Sequence, residues 1–429
     1  MPALDLAAVV AGAVGGHRAP GTQVALWNDG TLTAACAGPG IGPDTRFEIG
    51  SITKVLVAAC VVEHVLAGRL DLDDPVRRLV PNFRPVAEGI TVRQLLQHTS
   101  GLDGADDVRD TGDDDGAIRR YVEEHLAGTA SIHPAGARWS YCNAGYIVAG
   151  HLLEVLEDRC FDDVLADRFA RAGMEATTTR PVAPPDLPVA PGHRLDPATG
   201  VVEPFDGSLP RSTGPAGATI LTTAADLVTV GRAFAASEGW PEAAVQRAML
   251  ADTVPIRDGR QALGWTIAPG PTQVLSHGGT TAGYSALLLA IPAARAAIAV
   301  VADGPGAAGI AMAVATALGL PAPPAPAVLA PLPVERLRAY VGRYERRGVV
   351  QTVDLTDDGR LLATAEFDHA IVGPFLPPPP TTLSPVAEHC FVGRAPWDDL
   401  PQRYDFLEPG PDGRPAQLFT ARIHRRIDA

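Results

Sequence analysis

Three-quarters of the way along, a run of prolines limits what this polypeptide can become. Residues 318–333 contain Gly319-Leu320-Pro321-Ala322-Pro323-Pro324-Ala325-Pro326 and continue to Pro331 and Pro333. Each proline fixes φ and removes a backbone donor, so neither a helix interior nor a central strand can run through such a stretch. A stiff, extended linker is expected there. It divides the 429 residues into a long unit, 1–317, and a short one, 334–429, in keeping with two or three domains for this length.

The two units differ in pattern. Downstream, short alternating runs dominate: Gln351 to Leu355, a turn at Asp357-Asp358-Gly359, Leu361 to Ala365, Cys390 to Val392 and Gln417 to Ile423. That spacing predicts a small antiparallel sheet or barrel. Upstream, strands and helices mix. Val24-Ala25-Leu26 and Leu32-Thr33-Ala34 flank a hairpin turn at Trp27-Asn28-Asp29-Gly30. A helix is predicted from Ser51 through Val62, stopping at Gly68. It is apolar nearly all round and therefore central and buried. Val92 to His98 reads as a second short helix and Ala144 to Leu156 as an apolar one. Ser276 to Thr280, leading into Tyr284 to Ile291, reads as a strand. Asp103 to Asp115 is acidic and reads as a solvated loop.

The net charge of −14 and pI near 5.2 argue against nucleic acid and anionic membranes as partners. No segment approaches the roughly 18 apolar residues of a membrane span. The first ten residues lack a basic n-region and are interrupted by Asp5, so they read as an amphipathic helix and not a signal peptide. The five cysteines (Cys36, Cys60, Cys142, Cys160, Cys390) are odd in number and lack metal-ligand spacing. Reduced thiols and a cytoplasmic location are expected, with no metal and no cofactor.

One residue marks the chemistry. Lys and Arg together number 35, and Lys54 is the only Lys. Arg stays protonated at any working pH, whereas a buried Lys can lose its proton. The position that keeps a Lys is therefore a candidate base. It lies in Ser51-Ile52-Thr53-Lys54, and residues three apart share a helix face, so the amine can reach the Ser51 hydroxyl. This is the geometry of a serine nucleophile activated by a neutral lysine. Free N–H groups at the helix start favour developing negative charge at Ser51.

Three further clusters accompany it. In Tyr141-Cys142-Asn143, a phenol beside a lysine amine is expected to lose its proton more easily and so to relay protons. The Asn143 amide offers groups to hold both a substrate carbonyl and Lys54. Cys142 alternates away from both. In Ser276-His277-Gly278-Gly279-Thr280, Gly278 and Gly279 let substrate approach the backbone. The Thr280 N–H pairs with the Ser51 N–H as an oxyanion hole, and His277 is placed to donate a hydrogen bond to substrate or to Tyr141. In Thr91 to Leu102, His98 reads as a buried hydrogen-bonding residue of the site floor.

Phe47-Glu48-Ile49-Gly50-Ser51-Ile52-Thr53-Lys54, Leu95 to Leu102, Tyr141 to Tyr146 and His277-Gly278-Gly279 occur in that order. Together they resemble the serine β-lactamase and penicillin-binding-protein superfamily, in the branch of class C β-lactamases, DD-peptidases, D-aminopeptidases and related esterases. The resemblance covers roughly residues 15–305 and implies an α/β (α+β) fold, an antiparallel sheet flanked by helices plus a helical subdomain. It implies Ser51 as nucleophile, Lys54 as its base, Tyr141 as proton relay and Asn143 as substrate holder. His277 stands where many β-lactamases have a Lys in Lys-Thr-Gly. That departure weakens the β-lactamase reading and favours peptidase, esterase or transferase members.

With residues 334–429 read as a lipocalin-like barrel, the pairing is similar to penicillin-binding-protein-type thioesterases, stand-alone cyclases that release nonribosomal peptides. The implied substrate is a peptide or peptidyl thioester ending in a D-residue, brought by a peptidyl carrier protein, with the peptide's own N-terminal amine as acceptor. The alternative is a D-amino-acid peptidase or cytosolic esterase. The intact Ser51, Lys54, Tyr141 and Asn143 set argues against a non-catalytic binding relative. If Gln417 to Arg426 is one strand, Phe419, Ala421 and Ile423 share one face, and Thr420, Arg422, His424 and Arg426 the other. One of Arg422, Arg425 or Arg426 is then expected to face the cleft and grip a carboxylate.

Overall fold

In a computed structural model, the structure describes residues 4–183, 186–320, 327–394 and 401–428. The proline-rich segment Pro321–Pro326 lies outside the described residues.

The first unit is built on an eight-stranded antiparallel sheet. Its strands are β1 (Thr22–Asn28), β2 (Thr31–Ala37), β3 (Val254–Ile256), β4 (Gly259–Gln261), β5 (Thr266–Ile267), β6 (Leu275–Thr280), β7 (Ser285–Ile291) and β8 (Ala296–Ala302), in spatial order β2-β1-β8-β7-β6-β5-β4-β3. The central β8 is buried along its whole length, and alternation divides its side chains between two cores. Ile298, Val300 and Ala302 face α1 (Leu6–Gly16) and α5 (Ala307–Ala317). Ala297, Ala299 and Val301 join the larger core on the other face, with α2 (Thr53–Leu66), α3 (Asn143–Glu157) and α4 (Ala224–Ala236). In α2 every residue from Thr53 to Val62 is buried, as expected of a helix without a polar face. A capping box, Thr91 with Gln94, starts the short helix Val92–Leu96. Among the described residues no helix is long and apolar enough to cross a membrane.

The second unit is a closed all-antiparallel barrel of eight strands: β9 (Gly342–Arg346), β10 (Val349–Leu355), β11 (Leu361–Phe367), β12 (Thr381–Ala387), β13 (Cys390–Gly393), β14 (Gln402–Pro409), β15 (Pro415–Phe419) and β16 (Ile423–Arg426). β16 closes on β9 through Tyr344↔Arg426. Alternate residues Tyr344, Val353, Leu361, Ala363, Phe391, Phe406 and Leu418 fill the interior, so the barrel has a core of its own.

Three expectations change. The glycine-rich stretch from Ser276 to Ile291 is a hairpin of two strands, β6 and β7, and not one strand. The run from Gln417 to Arg426 is likewise folded back, because Ala421 adopts a left-handed backbone, φ 65°, and turns β15 into β16. The acidic segment is only partly solvated. Asp107 is 2% exposed, and residues 103–108 receive the barrel. Asp103 accepts from Arg347 N–H (3.0 Å), Asp106 pairs with Arg346, Asp107 pairs with Arg347 (3.0 Å), and Val108 N–H bonds Ile371 O (2.8 Å).

Candidate active site

Ser51 lies in a single 3-10 turn, Gly50–Ile52, that leads straight into α2. The turn is wedged between β6 and the loop at Gly217. A Cβ on Gly50 would meet Thr280 N at 2.5 Å, one on Gly279 would meet Ile49 O at 1.8 Å, and one on Gly217 would come within 2.7 Å of Ser51 N. These backbones touch only because no side chain intervenes. The Ser51 N–H and the Thr280 backbone are thereby neighbours. Beyond Ser276, β6 has β7 on one edge and no strand on the other among the described residues. Thr280 is exposed there and Gly278 likewise.

Lys54 is completely buried. It donates to Ser51 Oγ at 3.0 Å and to Ala216 O at 2.6 Å. Burial holds its pKa well below the ordinary lysine value, and the Arg422 guanidinium pushes the same way, against opposing effects of Cys142 and Asp106. The amine is thus disposed to be neutral and to accept the Ser51 proton.

Tyr141 completes the group from the loop before α3. Its ring lies 5.0 Å from Lys54 Nζ. Burial raises the phenol to about 12, although a hydrogen bond with Ser51 and the charge of Arg422 pull downward. The expectation of a phenol eased toward ionisation is therefore corrected. Desolvation of the buried ring outweighs both. Asn143 opens α3. Its amide makes no hydrogen bond to Lys54; the Ala216 carbonyl takes that place, and Asn143 Oδ1 is buried without a partner among the described residues.

His277 is buried on β6 and donates Nδ1–H to Gly278 O at 2.7 Å. Burial and the nearby Lys54 lower its pKa to about 4. Neutral, with Nδ1 carrying the proton, it presents Nε2 as an acceptor. It therefore cannot donate to substrate as expected from the sequence. His98 fits the structural reading. It accepts Cys142 N–H at 3.1 Å and packs on Tyr141 with centroids 4.3 Å apart. Cys142 points away from the site, with its Sγ 3.6 Å from Leu102 O and its thiol raised to about 11 by burial.

The barrel reaches this group through the β15–β16 turn. Ala421 O accepts Tyr141 N–H at 3.0 Å, and Ile423 N–H donates to Ser140 Oγ at 3.2 Å. The Arg422 guanidinium sits 5.0 Å from the Tyr141 ring centroid and pairs with Asp106 at 2.7 Å. Arg346 pairs with the same carboxylate, so two cations share one anion. Arg425 and Arg426 do not join the site. Arg425 binds the carbonyls of Ser131 and Ile132, and Arg426 those of Ala339 and Val341 within the barrel. Sequence reasoning missed Ala216, Asp106 and Arg346. Only the acidic character of the segment around Asp106 hinted at a cationic partner.

With this geometry in view, similarities to known proteins fall into place. Residues 6–320 match the family model described as Beta-lactamase. Penicillin-binding protein 4 of Amycolatopsis lactamdurans is 35% identical over 229 residues, 50% of this chain and 59% of that protein. Esterase EstB of Burkholderia gladioli is 40% identical over 121 residues, 24% of this chain and 31% of that protein. The chain therefore spans less than two thirds of the length of either relative. Among solved structures, SurE superposes with a TM-score of 0.74 and 26% identity over 98% of both chains. D-amino acid amidase from Ochrobactrum anthropi, at 21% identity, shares the fold over 74% of this chain and 99% of its own, with a TM-score of 0.63.

Proposed function

The chain belongs to the beta-lactamase family, and from that premise we propose that it is a serine acyltransferase that takes a peptidyl thioester ending in a D-residue and releases it as a cyclic peptide. In this reading Lys54 Nζ removes the Ser51 proton as Oγ attacks the thioester carbonyl. The oxyanion is met by the N–H groups of Ser51 and Thr280, beside the exposed Gly278, while the buried Gly279 lets β6 lie directly against the turn of the nucleophile. Collapse expels the thiol, which takes its proton from the Lys54 ammonium through Tyr141, and leaves an acyl ester on Ser51. The peptide's own amine then attacks. Its proton passes back through Tyr141 and Lys54, and Ser51 leaves with a proton restored.

The free edge of β6 suits an extended peptide, which can add to it as a further strand. Asn143 Oδ1, buried and unbonded, is a ready acceptor for a substrate N–H, and so is His277 Nε2. The neutral His277 supplies no cation of the kind that suits a β-lactam carboxylate. Positive charge comes instead from Arg422, and it orients the acceptor end of the peptide or a substrate carboxylate.

The observation that carries this reading is the convergence of Arg422, from the barrel, with Tyr141, Lys54 and Ser51. In this reading the barrel is part of the site. The likeness to SurE over the whole chain, barrel included, supports it, and the solution of SurE with D-Leu supports the D-configured substrate. The short but strong match to EstB favours a second reading, hydrolysis of D-residue peptides or esters, in which water replaces the amine. Peptidyl thioesters with C-terminal D- or L-residues, and cyclic and linear products counted by mass spectrometry, separate the two. Cyclic product from the D-substrate is expected; linear acid alone would move the assignment to a hydrolase.

A further inference from the structure

Beyond Thr280 the β6–β7 turn opens into a cavity of 370 Å³ that the reaction above leaves unused. Thr280, Thr281, Ala282 and Ser285 form one wall, and the barrel segment Pro374–Pro379 forms the other. That segment reads Pro374-Phe375-Leu376-Pro377-Pro378-Pro379. Its prolines carry no N–H and hold a fixed φ, so the wall is stiff and apolar. It is tied at both ends: His369 Nδ1–H donates to Gly373 O at 3.0 Å, and Thr381 Oγ1 donates to Pro379 O at 2.9 Å. Leu376 is 36% exposed at its centre. The charged groups on the rim already have partners. Arg194 pairs with Glu203 at 3.0 Å, and His193 Nδ1–H donates to Asp303 O at 2.9 Å. Most of what remains open is apolar surface next to Thr280, edged by Arg194 Nε and Thr281 Oγ1, which have no hydrogen-bond partner among the described residues.

We infer that this cavity is the subsite for the residue preceding the acylating one in the donor peptide, and that it selects a large apolar side chain there. The inference rests on Ser51 being the acylated nucleophile. Thr280 belongs to both places: its N–H faces the carbonyl oxygen of the acyl group, and its side chain borders the cavity. An extended donor lying along β6 advances roughly 3.3 Å per residue. The residue next to the reacting carbonyl therefore falls at the cavity mouth. The volume lies at the small end of ligand sites, which run from roughly 300 to 1,000 Å³. It holds one or two side chains and not a whole peptide. Because the wall is preformed, little ordering is needed when the side chain enters, which strengthens selection.

The test uses N-acetylcysteamine thioesters of peptides that differ only at the penultimate residue, Leu against Asp. The kcat/KM ratio is measured for the full chain and for its Leu376→Glu and Leu376→Arg variants. Leu376 is at the surface, so both variants should fold. The full chain should prefer Leu. Leu376→Glu should lower turnover of the Leu substrate by about tenfold through KM, the scale of discrimination in an apolar pocket. Leu376→Arg should shift the ratio toward Asp, a reversal that general damage cannot produce. Fluorophosphonate labelling of Ser51, read by intact mass, reports on the underlying nucleophile. If Ser51 labels in all three proteins and the Leu-to-Asp ratio is the same, the cavity is not the subsite, while the acyl-enzyme reading stands. If the full chain neither labels at Ser51 nor turns over either thioester, the acyl-enzyme reading fails and the subsite fails with it.

Discussion

The turn that carries Ser51 and the turn that carries Arg422 meet at Tyr141 from opposite ends of the chain. Ser51 and Lys54 need only a helix to meet; their contact of 3.0 Å follows from a spacing of three residues. Arg422 needs an eight-stranded barrel to close, a left-handed Ala421 to turn the chain, and Asp106 of another unit to hold the guanidinium. The first region is local and cannot be displaced without unwinding α2. The second is assembled at an interface. The difference suggests a division of labour: bond making at the local region, and orientation of the acceptor at the assembled one. Changes to the first should stop the reaction, and changes to the second should redirect it.

The largest effect is expected from Lys54→Arg. Arginine keeps much of the length but stays charged and cannot shed its proton. A loss of at least about 10³ in kcat is expected, toward the upper part of the range for a positioned general base. Circular dichroism should show a folded protein. Turnover near that of the unaltered chain would remove Lys54 as the base. The same assignment fixes the direction of the pH profile. Lys54 works when neutral, and its pKa is depressed in the folded protein, so kcat/KM should fall as pH drops through that lowered value and hold as pH rises. Tyr141, raised to about 12, stays protonated through this range and adds no alkaline limb below it. An acid limb that persists unchanged in a variant with residual activity but no amine at position 54 would assign it to another group.

His277→Ala comes next. Removal of one polar contact that strengthens in the transition state costs about 10²–10³ in rate. In the proposed reaction His277 is a neutral acceptor, so His277→Lys should not restore the loss. A collapse in melting temperature, with normal turnover in what remains folded, would reduce His277 to a packing residue.

These two regions also differ in how far the sequence revealed them. The Ser51–Lys54 contact was legible because helical periodicity is local, and the barrel because its strands alternate. The β15–β16 turn was not. Phe419-Thr420-Ala421-Arg422-Ile423 keeps perfect alternation, and the turn residue is an Ala where Gly, Asn or Asp would announce a left-handed backbone. The burial of Asp107 and the partial burial of Asp106 were invisible for a related reason. Local composition reads as solvated, whereas Arg346, Arg347 and Arg422 from the barrel, with His125 of the first unit, pair with these carboxylates. The Tyr141 phenol was misjudged because its own burial, which raises it, is set by tertiary packing that no local pattern shows.

A smaller effect on rate, but a qualitative one on product, is expected at the assembled region. Arg422→Ala should leave acylation of Ser51 running and raise the linear-to-cyclic ratio several-fold, because water then competes better for the acyl ester. Asp106→Asn should act in the same direction by freeing the guanidinium. Arg425→Ala should leave the ratio alone, since its guanidinium binds backbone carbonyls away from the site. Product counts by mass spectrometry decide the matter. Equal ratios for Arg422→Ala and Arg425→Ala would make the barrel a mere appendage.

The smallest effect is expected at Cys142, which lies inside the local region yet takes no part in it. The residue sits between Tyr141 and Asn143 and is the obvious rival nucleophile. Its backbone N–H is committed to His98 Nδ1, its Sγ lies against Leu102 O, and burial raises the thiol to about 11. A thiol held protonated and turned from the cleft is a poor nucleophile. Cys142→Ser replaces sulfur with a smaller hydroxyl that can still donate to Leu102 O, so the loop should keep its path and the enzyme most of its activity. With a slow thioester, intact mass and peptide mapping should find the acyl group on Ser51 in both proteins. An adduct mapped to Cys142 in the unaltered chain, and lost in Cys142→Ser together with turnover, would transfer the nucleophile's role from the helix start to the neighbouring loop.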